Sequence, residues 1–570
     1  MKSRLALIFL FAGILAGLYA QSYNRDADAA RQYAQWARQA MEEDRWDEAS
    51  ASLERAADFA DVSSDISYLL AVVRSRNGES RIRVIEALDR AVEINRWGVN
   101  SEVQALQLKA EQLVAMRNYS SALVILDRIG ENADSAMLRL WALRGLAIGS
   151  GNVQALARFR SQLLTAMDRY PRDPRPLRIF FEYARNRTPE PSELPSGDLN
   201  LLELALRRLP FLIENDPNLA WMAAPFMRNT DDARRYVSSY RAYHAGRTAP
   251  ASIPVSLNLG IIGDIEAVEE LFGEGNESAV VLFKDVVVDV YNLLRSEEGR
   301  NFFTQKLLSF FGFIFSDEDR DGIFESSASY SSGVINEFSY DRNQGNVFDL
   351  RVFFDSGGVP VYCGYPVTGG QTVAHIRWER YPYVRDVSLD EEFFLFRPAD
   401  FQFAPVSFIF LGGSRSTAGL LYPQSEYQYL TLTRRSLVSF CSSLTRPSVE
   451  FNGAEEQIFL ERGIPLEAVE TLGGKQVSVT EFERGIPVVQ RIDMDLDGRM
   501  ETIRRFRRPG PDFNETFDYR SLIASSESDW GDGRFMTGEM YLPDGSVVYS
   551  WDIDGSGFFN YSETETGRER

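Results

Sequence analysis

Three short stretches space oxygen ligands in a way that suits one chemistry, the binding of a hard divalent cation. Asp317-Glu318-Asp319-Arg320-Asp321-Gly322-Ile323-Phe324-Glu325 and Asp493-Met494-Asp495-Leu496-Asp497-Gly498-Arg499-Met500-Glu501 share the form D-x-D-x-D-G-x-x-E. Alternate carboxylates in a tight loop converge on one ion, glycine permits the sharp turn, and the closing glutamate completes the shell. Calcium fits, because it takes oxygen ligands and neither nitrogen nor sulfur. A third stretch keeps the spacing with Asp552, Asp554, Ser556 and Asn560, and offers Glu563 at the twelfth position. The competing reading is that Asp and Gly simply make hairpin turns, their carboxylates capping local amides. Three copies of one spacing weigh towards calcium.

The first two loops resemble the first half of an EF-hand, but their twelfth residues are Ala328 and Arg504. An acidic ninth position followed by a strand is more similar to the calcium loops between strands of integrin-like β-propeller repeats. That resemblance implies calcium ligation within each loop and nothing about the rest of the chain.

Other site chemistry is sparse. The chain holds two histidines, His244 and His375, and two cysteines, Cys363 and Cys441, too few for a multi-ligand zinc centre. Neither histidine adjoins a nucleophile motif, and there is no Gly-rich phosphate loop of the G-x-x-x-x-G-K-S kind. Asp390-Glu391-Glu392 would supply paired carboxylates for glycoside hydrolysis, but acidic residues before Phe393-Phe394 read more simply as a solvated turn entering a strand. The expectation is no enzyme, a hydrolase being the least favoured alternative. In an oxidising compartment a Cys363–Cys441 bridge stands against a buried reduced pair.

The elements carrying the loops are strands. After Ser316, short β-branched and aromatic runs alternate with Gly, Asp and Asn turns. Glu461-Arg462-Gly463-Ile464-Pro465 returns letter for letter as Glu483-Arg484-Gly485-Ile486-Pro487, a period of 22 residues, or two strands and two turns. An antiparallel meander of hairpins over 316–570 follows, as an open sheet or a sandwich.

The N-terminal part repeats differently. Ala37, Trp46, Ala49, Leu53 and Ala56 recur 73 residues later as Ala110, Tyr119, Ala122, Leu126 and Ile129, with a weaker copy at Ala71, Leu88 and Ala91 and another at Gly145 and Ala166. Small residues let two antiparallel helices approach, while the aromatic and the leucine fill the space between units. These residues resemble the tetratricopeptide repeat (TPR) of bacterial envelope proteins over about residues 25–186. The resemblance implies an α-solenoid and a protein partner bound by the helical array.

The whole chain then reads as an α+β multidomain protein: TPR-like helical repeats over 21–186, a Pro-rich linker at 187–196, a helical domain over 197–315 and a β-hairpin domain with acidic loops over 316–570. Ala279 to Leu294 reads as a buried helix, and Phe302 to Phe313 as an aromatic last helix. The first twenty residues, with Lys2, Arg4 and the apolar run from Leu5 to Phe11, read as a secretory signal peptide cleaved near Ala20. The product would be periplasmic or exported, with no transmembrane span in the mature chain. A net charge of −21 argues against nucleic acid. The function expected is a protein-interaction scaffold whose β domain is calcium-stabilised and supplies a second contact surface. The alternative is carbohydrate or cell-wall binding through aromatic residues of the β domain.

Overall fold

The computed structural model describes residues 26–59, 63–149, 153–187, 194–244, 248–273, 279–318, 323–342, 344–345, 347–367, 372–412, 420–426, 430–508, 519–529 and 533–565. The expected leader, Asp319, Asp321 and most of the linker lie outside them. The chain divides into two compact units, one reaching to Asp349 with Phe410–Tyr422 added, the other holding Leu350–Ile409 and Pro423–Arg570. The sequence boundary at 316 therefore differs from the structural one: the first strands belong with the helices.

In the first unit, five helical hairpins run in order: α1 (26–42) with α2 (Trp46–Asp58), α3 (Ser64–Arg76) with α4 (Arg81–Ile94), α5 (Glu102–Ala115) with α6 (Tyr119–Leu126), α7 (Ala133–Gly149) with α8 (Val153–Arg169), and α9 (Arg175–Arg187) with α10 (Ser196–Leu212). The repeat residues are what hold them. Ala37, Ala49, Leu53, Ala56, Ala71, Leu88, Ala91, Ala110, Ala122 and Leu126 are all at 0% exposure, so each small side chain marks a place where two helices touch. Gly145 on α7 lies under the Tyr119 ring, and a Cβ there would sit 2.1 Å from it. The turns between paired helices use left-handed backbone at Asp44, Gly78 and Arg117, with φ of 55°, 69° and 58°.

The loop between α4 and α5 is anchored by one side chain of α3. Asp65, near the start of α3, accepts hydrogen bonds from the amides of Gly98 (2.9 Å), Val99 (3.1 Å) and Asn100 (2.8 Å). Burial opposes the Asp65 charge, but the Asn100, Val99 and Gly98 amides outweigh it and hold the carboxyl below the usual aspartate range. Asp65→Ala should lower stability by about 2 kcal/mol in thermal melts at neutral pH. Because the folded pKa is depressed, this stabilisation is complete above the unfolded value of about 3.9 and is lost as pH falls through the lower folded value. Wild type and variant should therefore converge in strong acid, and a gap that persists unchanged there would contradict the assignment.

Beyond the repeats, Arg160 of α8 grips the fully buried Asp198 of α10 through two bonds (2.7 and 2.8 Å), and Tyr183 of α9 donates to the same carboxylate (3.1 Å). There follow α11 (Leu219–Ala223), α12 (Thr230–Tyr243), α13 (Ile253–Asn258), α14 (Asp264–Phe272), β1 (Val280–Phe283), α15 (Lys284–Leu293), α16 (Glu297–Leu308), β2 (Gly312–Ser316), β3 (Ser326–Ser331) and β4 (Val334–Tyr340). The helix expected over 279–294 begins as a strand: β1 pairs in parallel with β2, Val280 opposite Gly312. Gly312 is required there, since a Cβ would meet the Val280 carbonyl at 2.0 Å. The aromatic helix stops at Leu308, and Phe313 and Phe315 lie on β2.

The second unit is a meander. Its strands are β5 (Leu350–Phe354), β6 (Pro360–Pro366), β7 (Val373–Arg380), β8 (Tyr383–Leu389) and β9 (Glu392–Leu395), then β12 (Ser443–Pro447), β13 (Glu455–Glu461), β14 (Ile464–Leu472), β15 (Lys475–Glu483), β16 (Ile486–Ile492), β17 (Thr502–Phe506), β18 (Ile523–Asp529), β19 (Phe535–Tyr541), β20 (Val547–Trp551) and β21 (Tyr561–Glu565). Strands β10 (Val406–Leu411) and β11 (Leu420–Ser425) straddle the unit boundary in sequence, and α17 (Arg434–Phe440) precedes β12. Consecutive members pair antiparallel, with β9 joining β12.

The repeated pentapeptide is a repeated turn. Glu461 pairs with Ile464 and Glu483 with Ile486, and Arg462-Gly463 and Arg484-Gly485 take φ near 52° and 77°, and 53° and 81°. Both residues left-handed is the hairpin geometry that matches strand twist. The cysteines are both buried and unbridged, the reduced pair of the two alternatives. Burial pushes the Cys441 thiol up to about 12.

Candidate functional site

Each acidic loop is nine residues held between two paired strand ends: Ser316 and Ser326, Ile492 and Thr502, Trp551 and Tyr561. The ninth side chain accepts the amide of the second residue in every case: Glu325 from Glu318 (2.7 Å), Glu501 from Met494 (3.0 Å) and Asn560 from Ile553 (2.9 Å). In the second and third loops the first aspartate accepts the fifth and sixth amides. Asp493 takes Asp497 (3.2 Å) and Gly498 (2.8 Å), and Asp552 takes Ser556 (3.1 Å) and Gly557 (2.6 Å). The fourth residue is left-handed, with φ of 62° at Leu496 and 69° at Gly555.

A fourth copy escaped the sequence reading. Asp341-Arg342-Asn343-Gln344-Gly345-Asn346-Val347-Phe348-Asp349 follows β4, with Asp341 accepting the Gly345 amide (3.0 Å) and Asp349 the Arg342 amide (2.7 Å). Gln344, the fourth residue, has φ of 52°. The signal was present in the first and ninth aspartates, but Asn343 and Gly345 stand where the other loops carry Asp or Ser.

The loops share these hydrogen bonds among the described residues and differ in what they gather. Asp493, Asp495, Asp497 and Glu501 bring four carboxylate oxygens within 4.8 Å of one another, a set able to hold a cation. In the first loop Asp317 and Glu325 are described, and Glu325, 1% exposed, is engaged by the Arg117 guanidinium and by the Gln344 amide (3.1 Å). Asp317 lies within electrostatic reach of Glu182 on α9, whose carboxyl is pushed up to about 7, chiefly by burial. In the third loop Asp554 accepts the Ser556 amide (3.1 Å), and its carboxyl is held low by hydrogen bonds, the Ser556 side chain first. Glu563 sits on β21, where its carboxylate takes the Tyr561 hydroxyl.

Cross-strand register lines up a second constellation on one sheet face. Arg446 lies opposite Glu456, Glu456 opposite Glu470, Glu470 opposite Ser478, and Thr480, two residues on, opposite Gln490, which faces Arg504. Glu456, Glu470, Ser478, Thr480 and Gln490 are at 0% exposure. Arg520 donates to Glu456 (3.2 Å) and Glu470 (2.8 Å) together, Tyr519 to Glu456 (2.6 Å), Arg446 to Glu456 (2.8 Å) and Ser448 to Glu470 (2.6 Å). These buried carboxylates are satisfied by guanidinium and hydroxyl donors.

Three of the residues considered for catalysis have partners. His375 Nδ1 is 2.5 Å from the Tyr362 hydroxyl, His244 packs between Tyr240 and Tyr243, and Glu392 is paired with Arg434 through two bonds (2.6 and 2.7 Å).

The class defined by this fold is an α-solenoid of TPR-like helical hairpins followed by a helical segment and a large antiparallel β region. No protein-family model matches the chain. An uncharacterised protein of Treponema pallidum (strain Nichols) is 22% identical over 645 residues, covering 93% of this chain and 78% of that protein. Among solved structures, a tetratricopeptide repeat protein from Parabacteroides merdae is 10% identical at a TM-score of 0.32, covering 48% of this chain and 98% of its own. The Pseudomonas aeruginosa protein pilF is 13% identical at 0.28, covering 39% and 94%. Among the described residues no helix is long and apolar enough to cross a membrane.

Proposed function

We propose that this chain is a non-enzymatic, exported scaffold whose helical array binds a segment of another protein, with calcium stiffening the acidic loops. The observation that carries the reading is a groove of 830 Å³ lined by Trp46, Tyr68, Val72, Gln104, Leu108 and Glu111. These residues come from α2, α3 and α5, so successive hairpins contribute to one concave surface that offers rings, an amide and a carboxylate. Arg76 lies over the Trp46 ring at 5.6 Å, and burial raises the Glu111 carboxyl. A photo-crosslinker placed at Leu108 in the native envelope should capture a defined partner. The double variant Trp46→Ala/Tyr68→Ala should weaken that capture at least about tenfold, since buried aromatic anchors dominate such contacts. Undiminished capture would move binding away from the groove. The export reading rests on the leader-like residues 1–20 and is tested by N-terminal sequencing, which should begin at Gln21.

Support for calcium is the convergence of Asp493, Asp495, Asp497 and Glu501. Without a cation these carboxylates repel, and a bound ion stabilises the fold by mass action. Millimolar calcium should raise the melting temperature of the full chain, by about 3 kcal/mol of added stability at a hundredfold excess over Kd. Asp497→Ala should shrink the shift, while Glu391→Gln, on an exposed turn away from the loops, should not. Calorimetry showing no heat of binding, together with an unchanged melt, would reduce the loops to acidic turns.

A further inference from the structure

The polar sheet face does not stop at Arg504. Register carries it on through Ser526 of β18 to Glu539 of β19, Tyr549 of β20 and Glu563 of β21, with Tyr541, Trp551, Tyr561 and Glu565 on the same side. Over β12 to β17 this face is buried, and its carboxylates meet arginines. Over β19 to β21 it is open. No large apolar side chain of these three strands is fully buried, and every residue of β21 is exposed. A sheet ordinarily needs one face covered to be stable, so three terminal strands with two half-open faces point to an absent covering layer.

The chemistry of the open part defines that layer. Trp551 and Tyr561 rings lie 5.6 Å apart and Tyr549 and Trp551 6.2 Å apart, forming an aromatic strip. Glu539, Glu563 and Glu565 border it; the Tyr541 and Tyr561 hydroxyls donate to the first two, and among the described residues no lysine or arginine is ion-paired with the three. Rings beside carboxylates attract guanidinium and ammonium groups, by cation–π contact and by charge-assisted hydrogen bonds. The covered half of the same face shows the arrangement filled, with Arg520 descending on Glu456 and Glu470. In addition, β21 pairs only with β20 among the described residues, leaving an edge able to accept an added strand.

We propose that the β19–β21 face binds an extended, arginine-rich segment of a partner protein, which adds beside β21 and sets its basic side chains over Glu539, Glu563 and Trp551. This deepens the reading of the β region as a second contact surface and is independent of the helical groove.

The test uses the full chain and a fluorescent peptide of alternating arginine and threonine, followed by anisotropy. Binding should weaken at least about tenfold in Glu539→Gln/Glu563→Gln and in Trp551→Ala, and should fade with added salt. It should persist in Glu379→Gln/Glu391→Gln, which removes the same charge elsewhere on the unit, and in the groove variant Trp46→Ala/Tyr68→Ala. A peptide with citrulline in place of arginine should not bind. Equal weakening in the two glutamine pairs would show attraction to net charge alone and overturn the proposal. So would the absence of binding at about 1 mM peptide, or displacement of the peptide by a neutral oligosaccharide in a Trp551-dependent manner, which would make this a glycan platform. Loss of binding in the groove variant alone would overturn it while leaving the groove reading intact.

Discussion

Ala49→Trp or Ala122→Trp should unfold the helical array. Both alanines are at 0% exposure inside small clusters, Ala49 with Ala37, Leu53 and Ala56, and Ala122 with Ala110, Leu126 and Ala142. Overpacking by even a few methylenes costs about 1 to 3 kcal/mol, and an indole adds far more volume than that. Against a total stability of about 5 to 15 kcal/mol, a hairpin that cannot close removes most of what its neighbours rely on. Far-ultraviolet circular dichroism should show loss of helix with an early melt. Val124→Trp on α6, where the native side chain is 65% exposed, should melt like wild type. If the two alanine variants also kept the wild-type melt, the repeat register would be wrong.

The second large effect is expected at Arg520. This side chain bridges Glu456 and Glu470, which face each other on adjacent strands at 0% exposure. Arg520→Ala leaves Glu470 with no cationic partner among the described residues and Glu456 with Arg446 alone under the sheet face, and removing one partner of a buried ionic set costs about 3 to 5 kcal/mol. Burial works against the Arg520 charge, but Tyr519, Glu456, Glu470 and Glu450 raise its pKa overall, so it stays protonated throughout the accessible pH range. Denaturant unfolding should show the midpoint falling with little change in slope. Neutralising the acids as well, in Glu456→Gln/Glu470→Gln/Arg520→Met, should recover much of the loss, which separates charge from lost packing. An Arg520→Ala variant as stable as wild type would mean that Arg446 and the hydroxyls suffice.

How much was readable from sequence depended on the range of the interaction. The alanines of the hairpins were legible because a helix presents its contact face every three to four residues, and a small residue at a fixed spacing has one structural use. The shared loop backbone was legible for the same reason, since the ninth side chain and the second amide are neighbours in the chain. The fourth loop was missed because an amide and a glycine serve its backbone as well as carboxylates do, and the pattern sought was one of charge.

Sequence alone determined the helical array, the change to hairpins after Ser316, the repeated Arg-Gly turns and the acidic loop spacing, all set by contacts within one helix, turn or hairpin. Tertiary structure decided the rest. Val280–Phe283 became a strand only because β2 lies alongside it, its short apolar run being compatible with either helix or strand. The polar ladder from Arg446 to Glu563 depends on register shifts such as those between Phe459 and Leu460 and between Glu481 and Phe482. A slip of one residue at either would turn Glu456 or Gln490 to the opposite face. Alternation along each strand is local, but which carboxylate meets which guanidinium is settled only when every strand has found its neighbour.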